Sequence, residues 1–142
     1  MKKTLLLILI ALGITIIALA GILVNRKFAE NEARKPNLEY EYILEKEMYG
    51  TDIVTIINKA MNNNQKYEID IDENGNYIND NRYSIQVEIA FIGMEENFTM
   101  ERICRVGIEE FMRAFNISKF KCINKQYHEE TKRLSKIVLQ EI

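Results

Sequence analysis

The chain predicts an α+β fold: an N-terminal transmembrane helix, then a small domain with a four-stranded antiparallel sheet packed by amphipathic helices. Three observations point there. An uncharged run rich in Leu, Ile and Ala extends from Thr4 to Val24. Two later segments repeat apolar residues at helical spacing, and others alternate apolar and polar side chains as half-buried strands do.

As a helix rising about 1.5 Å per residue, the run from Thr4 to Val24 reaches roughly 30 Å, the thickness of a bilayer's hydrocarbon. Residues 1–24 therefore read as a transmembrane anchor. A cleaved secretory signal is the competing reading: Lys2 and Lys3 precede the run, and Ala18-Leu19-Ala20 fits a small-residue cleavage pattern. The apolar run continues past that pattern to Val24 before meeting Asn25-Arg26-Lys27, as a spanning helix ends. No Cys follows it, which excludes a lipoprotein anchor. Basic residues flank both ends, but a domain of this length translocates largely regardless of flanking charge. The expected location is a cell membrane, single-pass, with the domain extracytoplasmic.

Residues 25–36 read as a charged juxtamembrane stalk, and 37–142 as one soluble domain. The chain holds 19 Lys and Arg against 21 Asp and Glu, and Lys2 and Lys3 belong to the anchor, so the soluble part is net acidic. That balance argues against a nucleic-acid partner. No Trp, a single Pro and an abundance of Asn, Ile, Lys and Glu suggest a bacterial chain from an AT-rich genome.

Pro36 is expected to interrupt or kink the first helix. Leu38 to Tyr49 reads as a second helix stopped by Gly50, with Thr51 or Asp52 capping the next. In that next helix Ile53, Ile56, Ile57, Ala60 and Met61 form one buried stripe. Tyr67, Ile69 and Ile71 then alternate with acidic residues, and Asn74-Gly75 is a strong hairpin signal. Tyr83, Ile85, Val87, Ile89 and Phe91 make a half-buried strand. Phe98 to Phe115 reads as one helix, with Gly107 on its apolar face at a close approach to the sheet. Phe120 to Tyr127 is a strand. Leu134 to Ile142 suits a second strand, with a short helix as the alternative.

Few residues offer chemistry. Asp70, Asp72 and Asn74, followed by Gly75, match the opening of a calcium loop, in which oxygen ligands alternate before a sharp turn. The twelfth position holds Asn81 rather than Glu, and the same residues suit an Asp-rich hairpin tip. No cofactor is expected apart from that candidate calcium. His128, the one histidine, reads as a solvated turn residue beside Glu129 and Glu130. Cys104 and Cys122 fit no metal or redox spacing; they read as buried thiols, with a disulfide as the other option. Tyr40, Tyr42 and Tyr49 suit either core packing or a partner groove. Ala11, Gly13, Thr15, Ala18 and Gly21 give the span small residues where another helix can approach. No catalytic set is visible, so the chain is expected not to be an enzyme.

The layout of an apolar N-terminal helix, a helical extension and a small α+β domain resembles that of pilin-like proteins, including the TadE-like pilus proteins. The resemblance is architectural and covers the whole chain. Lys3-Thr4 stands where a prepilin carries its small-residue cleavage site, and no Glu occurs early in the apolar run. The resemblance implies a non-enzymatic structural or assembly component at the bacterial cell surface. Its partners would be the lipid bilayer and other membrane or surface proteins, homo-oligomers included. A membrane-tethered ligand- or protein-binding module is the second expectation.

Overall fold

The computed structural model describes residues 2–142. Helix α1 runs unbroken over Lys2–Leu44, about 65 Å at the usual rise. It is long and apolar enough to cross a membrane, and its apolar stretch packs against nothing in the chain. Pro36 lies inside it. The proline forfeits one helical hydrogen bond. The turns after Pro36 are held by the body of the protein: Tyr40 and Leu44 are buried, and Asn37 donates from Nδ2 to the Lys132 carbonyl and accepts from the Leu134 N–H, both at 2.9 Å. Those contacts hold the helix in register through the proline, so the expected interruption and the separate second helix do not occur. Ala33, one turn earlier, is already buried.

The remaining elements are β1 (Met48–Tyr49), α2 (Gly50–Lys66), β2 (Gln86–Ala90), β3 (Phe98–Thr99), α3 (Met100–Val106), α4 (Ile108–Phe115), β4 (Lys119–Tyr127) and β5 (Leu134–Glu141). They form a five-stranded mixed sheet of order β1-β4-β5-β2-β3, not the expected four antiparallel strands. β4 and β5 are an antiparallel hairpin, and β5 lies parallel to β2, pairing Val87 with Ile137 and Ile89 with Leu139. Leu134–Glu141 is thus a strand, the first of the two options its pattern allowed.

Gly50 opens α2 rather than ending a helix. A Cβ built on it would collide with the Phe115 carbonyl, so the missing side chain is what lets α2 meet the end of α4. The Tyr49 N–H donates to Asp52 Oδ2 at 2.9 Å and satisfies one exposed donor at the helix start. Ile53, Ile56, Ile57 and Ala60 are fully buried, as their spacing predicts. They pack with Val87, Ile89, Phe120, Ile137 and Leu139 from one face of the sheet, and Met100, Ile103 and Phe111 of α3 and α4 complete that layer.

The expected strand at Tyr67–Ile71 is instead an irregular segment with a single bridge, Ile71 to Tyr77. Glu68 takes a left-handed backbone (φ 52°) and Ile69 N–H returns to the Asn64 carbonyl, so the end of α2 absorbs the residues a strand would need. The helix expected over Phe98–Phe115 begins as strand β3 and divides at Gly107 (φ 115°). Nothing lies within 4 Å of a Cβ placed there, so Gly107 serves the bend and not a close approach to the sheet.

The sheet has two distinct ends. At the hairpin end, where β4 turns into β5 through residues 128–133, Asn37 is fastened. At the far end, Glu47 just after α1 pairs with Lys119 at the start of β4 (2.8 Å). The last turns of α1 therefore run along β4 toward the far end. The apolar half of the helix projects the other way, beyond the hairpin.

Candidate functional site

Exposed apolar residues of the body gather where β2 ends, at the far end. Strand β2 delivers Phe91 into the interior and ends. Gly93 (φ 79°) turns the chain, with Met94 N–H bonded to the Phe91 carbonyl, and Ile92 N–H donates to Glu141 Oε2 at 3.2 Å. The turn leaves Ile92 70% exposed and Met94 half exposed. Val106, at the α3–α4 bend, lines the same pocket as Met94, and Ile117, just before β4, is 82% exposed.

Behind the turn the Phe91 ring meets Phe98 edge-on (centroids 5.2 Å apart) and lies 4.6 Å from Phe115. Phe111 and Phe120 complete the cluster. An apolar cavity of about 170 Å³ opens between this cluster, Met94, Ile103 and Val106, with Glu110 as its one charged liner among the described residues. An apolar cavity near 150 Å³ accepts a molecule the size of benzene. This one suits a single large apolar side chain or a small apolar ligand, and is smaller than a site for a cofactor-sized molecule. Arg102 stacks its guanidinium 3.8 Å from the Phe98 ring, placing a charge beside the apolar floor. The arrangement suits binding with exclusion of water, and the one carboxylate at its edge, Glu110, is paired with Arg113 at 3.1 Å.

The sequence held a signal for this face. Phe91-Ile92 breaks the alternation of the strand, so one of two adjacent large apolar residues has to face outward. The cavity itself had no such signal, since Phe98, Phe111 and Phe115 read only as core.

The other candidate residues fall elsewhere. Asp72 Oδ1 accepts from the N–H groups of Asn74 (2.9 Å) and Asn76 (2.8 Å). The hydrogen bond from Asn76 is the main reason its carboxyl sits below the usual range. Arg105 donates to the carbonyls of Asn74 and Gly75, bringing a positive charge onto the same turn. Asp70 is exposed, and its carbonyl accepts from Ile78 N–H. The turn is thus ordered by its own amides and by Arg105. Among the described residues no group of three or more His, Cys, Asp or Glu side chains is gathered as for a metal.

His128 is not solvated: it is 4% exposed, with Nε2 2.8 Å from the Ser84 carbonyl. A carbonyl only accepts, so Nε2 carries the proton and the imidazole ties the hairpin turn to the approach to β2. Cys104 and Cys122 are free thiols, half-buried on α3 and β4. Burial pushes both thiols up, away from the reactive thiolate. Of the three tyrosines only Tyr40 is buried; Tyr42 and Tyr49 face outward.

Comparison with protein-family models, with curated proteins and with solved structures found no match for this chain.

Proposed function

We propose that this chain is a single-pass membrane protein with a non-enzymatic structural or assembly role at the bacterial cell surface, pilin-like in plan, its folded body outside the membrane. One observation carries the reading. Helix α1 is continuous over Lys2–Leu44, with its apolar half wholly exposed and its last turns fastened into the body through Asn37, Tyr40 and Leu44. A span of this kind transmits position rigidly, which suits a subunit that packs through its membrane helix and presents a fixed surface. The apolar far face, carrying Ile92, Met94 and Ile117, is the surface such a body presents away from the bilayer.

The test is crosslinking in native membranes. Photo-crosslinkers placed at Gly13 in the span and at Met94 in the far face are expected to give discrete higher bands from membrane fractions. Ile92→Ser with Ile117→Ser is expected to abolish the Met94 product while leaving the melting midpoint unchanged. Recovery of the intact chain from the aqueous phase without detergent would remove the reading.

The cavity behind Met94 favours a second reading, a membrane-tethered binding module for an apolar side chain or small apolar ligand. A monomer in membranes whose midpoint rises with such a ligand would select it.

A further inference from the structure

A second pocket opens at the edge of β2, where the two-residue strand β3 ends and α3 begins. It measures about 230 Å³ and is lined by Asp72, Asn76, Tyr77, Gln86, Glu88 and Glu101. Each charged residue that lines it is acidic, and none of the described residues lining it is basic.

Two of the three carboxylates are met by the chain itself. Glu88 pairs with Lys136 and accepts from Asn97. Asp72, on the rim, accepts from the N–H groups of Asn74 and Asn76. Glu101 differs. It is 6% exposed, and among the described residues no cation pairs with it. The ordinary partner would be Arg105, since Glu and Arg four residues apart meet on a helix surface. Arg105 donates instead to the carbonyls of Asn74 and Gly75, at 2.9 and 3.3 Å. The Tyr77 N–H donates to Glu101 Oε1 at 3.2 Å, which leaves Oε2 to the pocket. The first turn of α3 favours a carboxylate here through its partial positive charge. It supplies no donor to Oε2. Buried charges are ordinarily paired, so this one calls for a partner from outside the chain.

The chemistry of the pocket narrows what that partner is. It carries positive charge and N–H donors, because the lining offers acceptors. A metal ion suits the pocket poorly: it needs several oxygens converging on one point. Among the described residues no three acidic side chains converge in that way. An ammonium group on an alkyl stem has three donors to spread over separated oxygens. The stem has Tyr77 to lie against, and the space exceeds the roughly 150 Å³ that benzene occupies in an apolar cavity.

We propose that this pocket binds an alkylammonium group, with Glu101 as the buried counter-charge and Asp72 as a second carboxylate on the rim. The group is that of a small free amine or of a lysine side chain. The site belongs to the folded body and does not rest on the membrane-anchored reading.

The test is an NMR titration of the full chain in neutral detergent at low, matched ionic strength, with butylammonium, tetramethylammonium or calcium chloride. Butylammonium is expected to move the amide signals of Tyr77, Gln86 and Glu101 saturably and to leave those of Tyr67 and His128 in place. Tetramethylammonium has charge but no N–H donor, and it and calcium are expected to move none of them. Glu101→Gln keeps an oxygen for the Tyr77 N–H and should weaken butylammonium about tenfold or more at an unchanged far-UV spectrum. Glu109→Gln, exposed on α4, should leave the affinity as it is. No saturable shift in the parent, equal affinity in Glu101→Gln, or an equal response to tetramethylammonium or calcium would overturn the proposal. If Glu101→Gln does not fold, the comparison of probes on the parent decides alone. Tighter binding of putrescine than of acetyl-lysine amide assigns the group to a small amine, and the reverse order assigns it to a side chain.

Discussion

The Asn64 side chain pairs with the backbone of Ile85 as a neighbouring strand would: its Nδ2 donates to the Ile85 carbonyl and its Oδ1 accepts the Ile85 N–H, both at 2.8 Å. Asn64 is fully buried near the end of α2, and Ile85 immediately precedes β2. One amide thus closes the long connection between helix and sheet, and the register of β2 on β5 begins from that point. Replacing Asn64 with Leu leaves a buried donor and a buried acceptor without partners. Each costs about 1–3 kcal/mol, so the variant should lose about 2–6 kcal/mol. Urea denaturation should show a lower midpoint at unchanged slope, whereas Asn62→Leu, exposed two residues earlier, should stay within about 0.5 kcal/mol.

Gly50 yields a prediction of a different kind. Ordinary helix propensity favours alanine over glycine by up to about 1 kcal/mol. Here the added methyl would meet the backbone carbonyl of Phe115 and, at 3.0 Å, the Cα of Asn116, neither of which can rotate away. Overpacking against rigid atoms costs about 1–3 kcal/mol. Gly50→Ala should therefore lower the thermal midpoint, while Gly107→Ala should lower it through backbone strain alone, since its surroundings are open. A Gly50→Ala midpoint equal to or above the parent's would show that α2 and α4 can separate without loss.

How much of the fold the sequence made legible depends on how local each signal was. The stripe of Ile53, Ile56, Ile57 and Ala60 marks α2 because four residues report one face. The alternation of Val87, Ile89 and Phe91 marks a strand for the same reason. The alternation of Tyr67, Ile69 and Ile71 has another origin: Ile69 is buried, Tyr67 stacks on Tyr83, and Ile71 is 56% exposed. Pro36 was misleading because the contacts that carry a helix through it come from Lys132 and Leu134, far away in sequence. The parallel pairing of β2 with β5 is likewise decided by distant residues. Ile92 announced the far face by its position after Phe91, whereas the acidic pocket joins Asp72 and Glu88 to Glu101 across the fold and left no local trace.

The Glu88–Lys136 pair predicts how stability responds to acid. The two meet at 2.6 Å on the sheet face opposite Val87 and Ile137, where Asn97 also donates to Glu88. Burial alone would raise the Glu88 carboxyl, but the hydrogen bonds from Lys136 and Asn97 outweigh it and hold the group below its ordinary value. Asp80 shows the same pattern: burial opposes ionisation, and the N–H groups of Arg82, Tyr83 and Ser84 overcome it. A carboxyl depressed in the folded state stabilises above its unfolded pKa, about 4, and that contribution is lost as pH falls through the folded value. Unfolding free energy should thus be flat near neutrality and drop with acid. Glu88→Gln should cost about 1 kcal/mol at pH 7 and reduce the acid slope. An unchanged slope in that variant would assign the acid sensitivity to other carboxyls.

Phe91 separates the core from the far face within two consecutive residues. Its ring touches the aromatic groups of β3, α4 and β4, and its removal would join their space to the existing cavity. Phe→Ala changes in a packed core cost about 3–5 kcal/mol, and the cost grows with the void left behind. Because the enlarged space is lined by apolar groups, it should stay dry and accept benzene or xenon. Phe91→Ala should therefore melt well below the parent and regain part of that loss under saturating benzene, as any ligand specific to the folded state restores stability. Ile92→Ser, one residue on and facing solvent, should change the midpoint by no more than a surface substitution does. Equal losses at the two positions would mean that Ile92 is covered in solution, by a second copy or by the body itself.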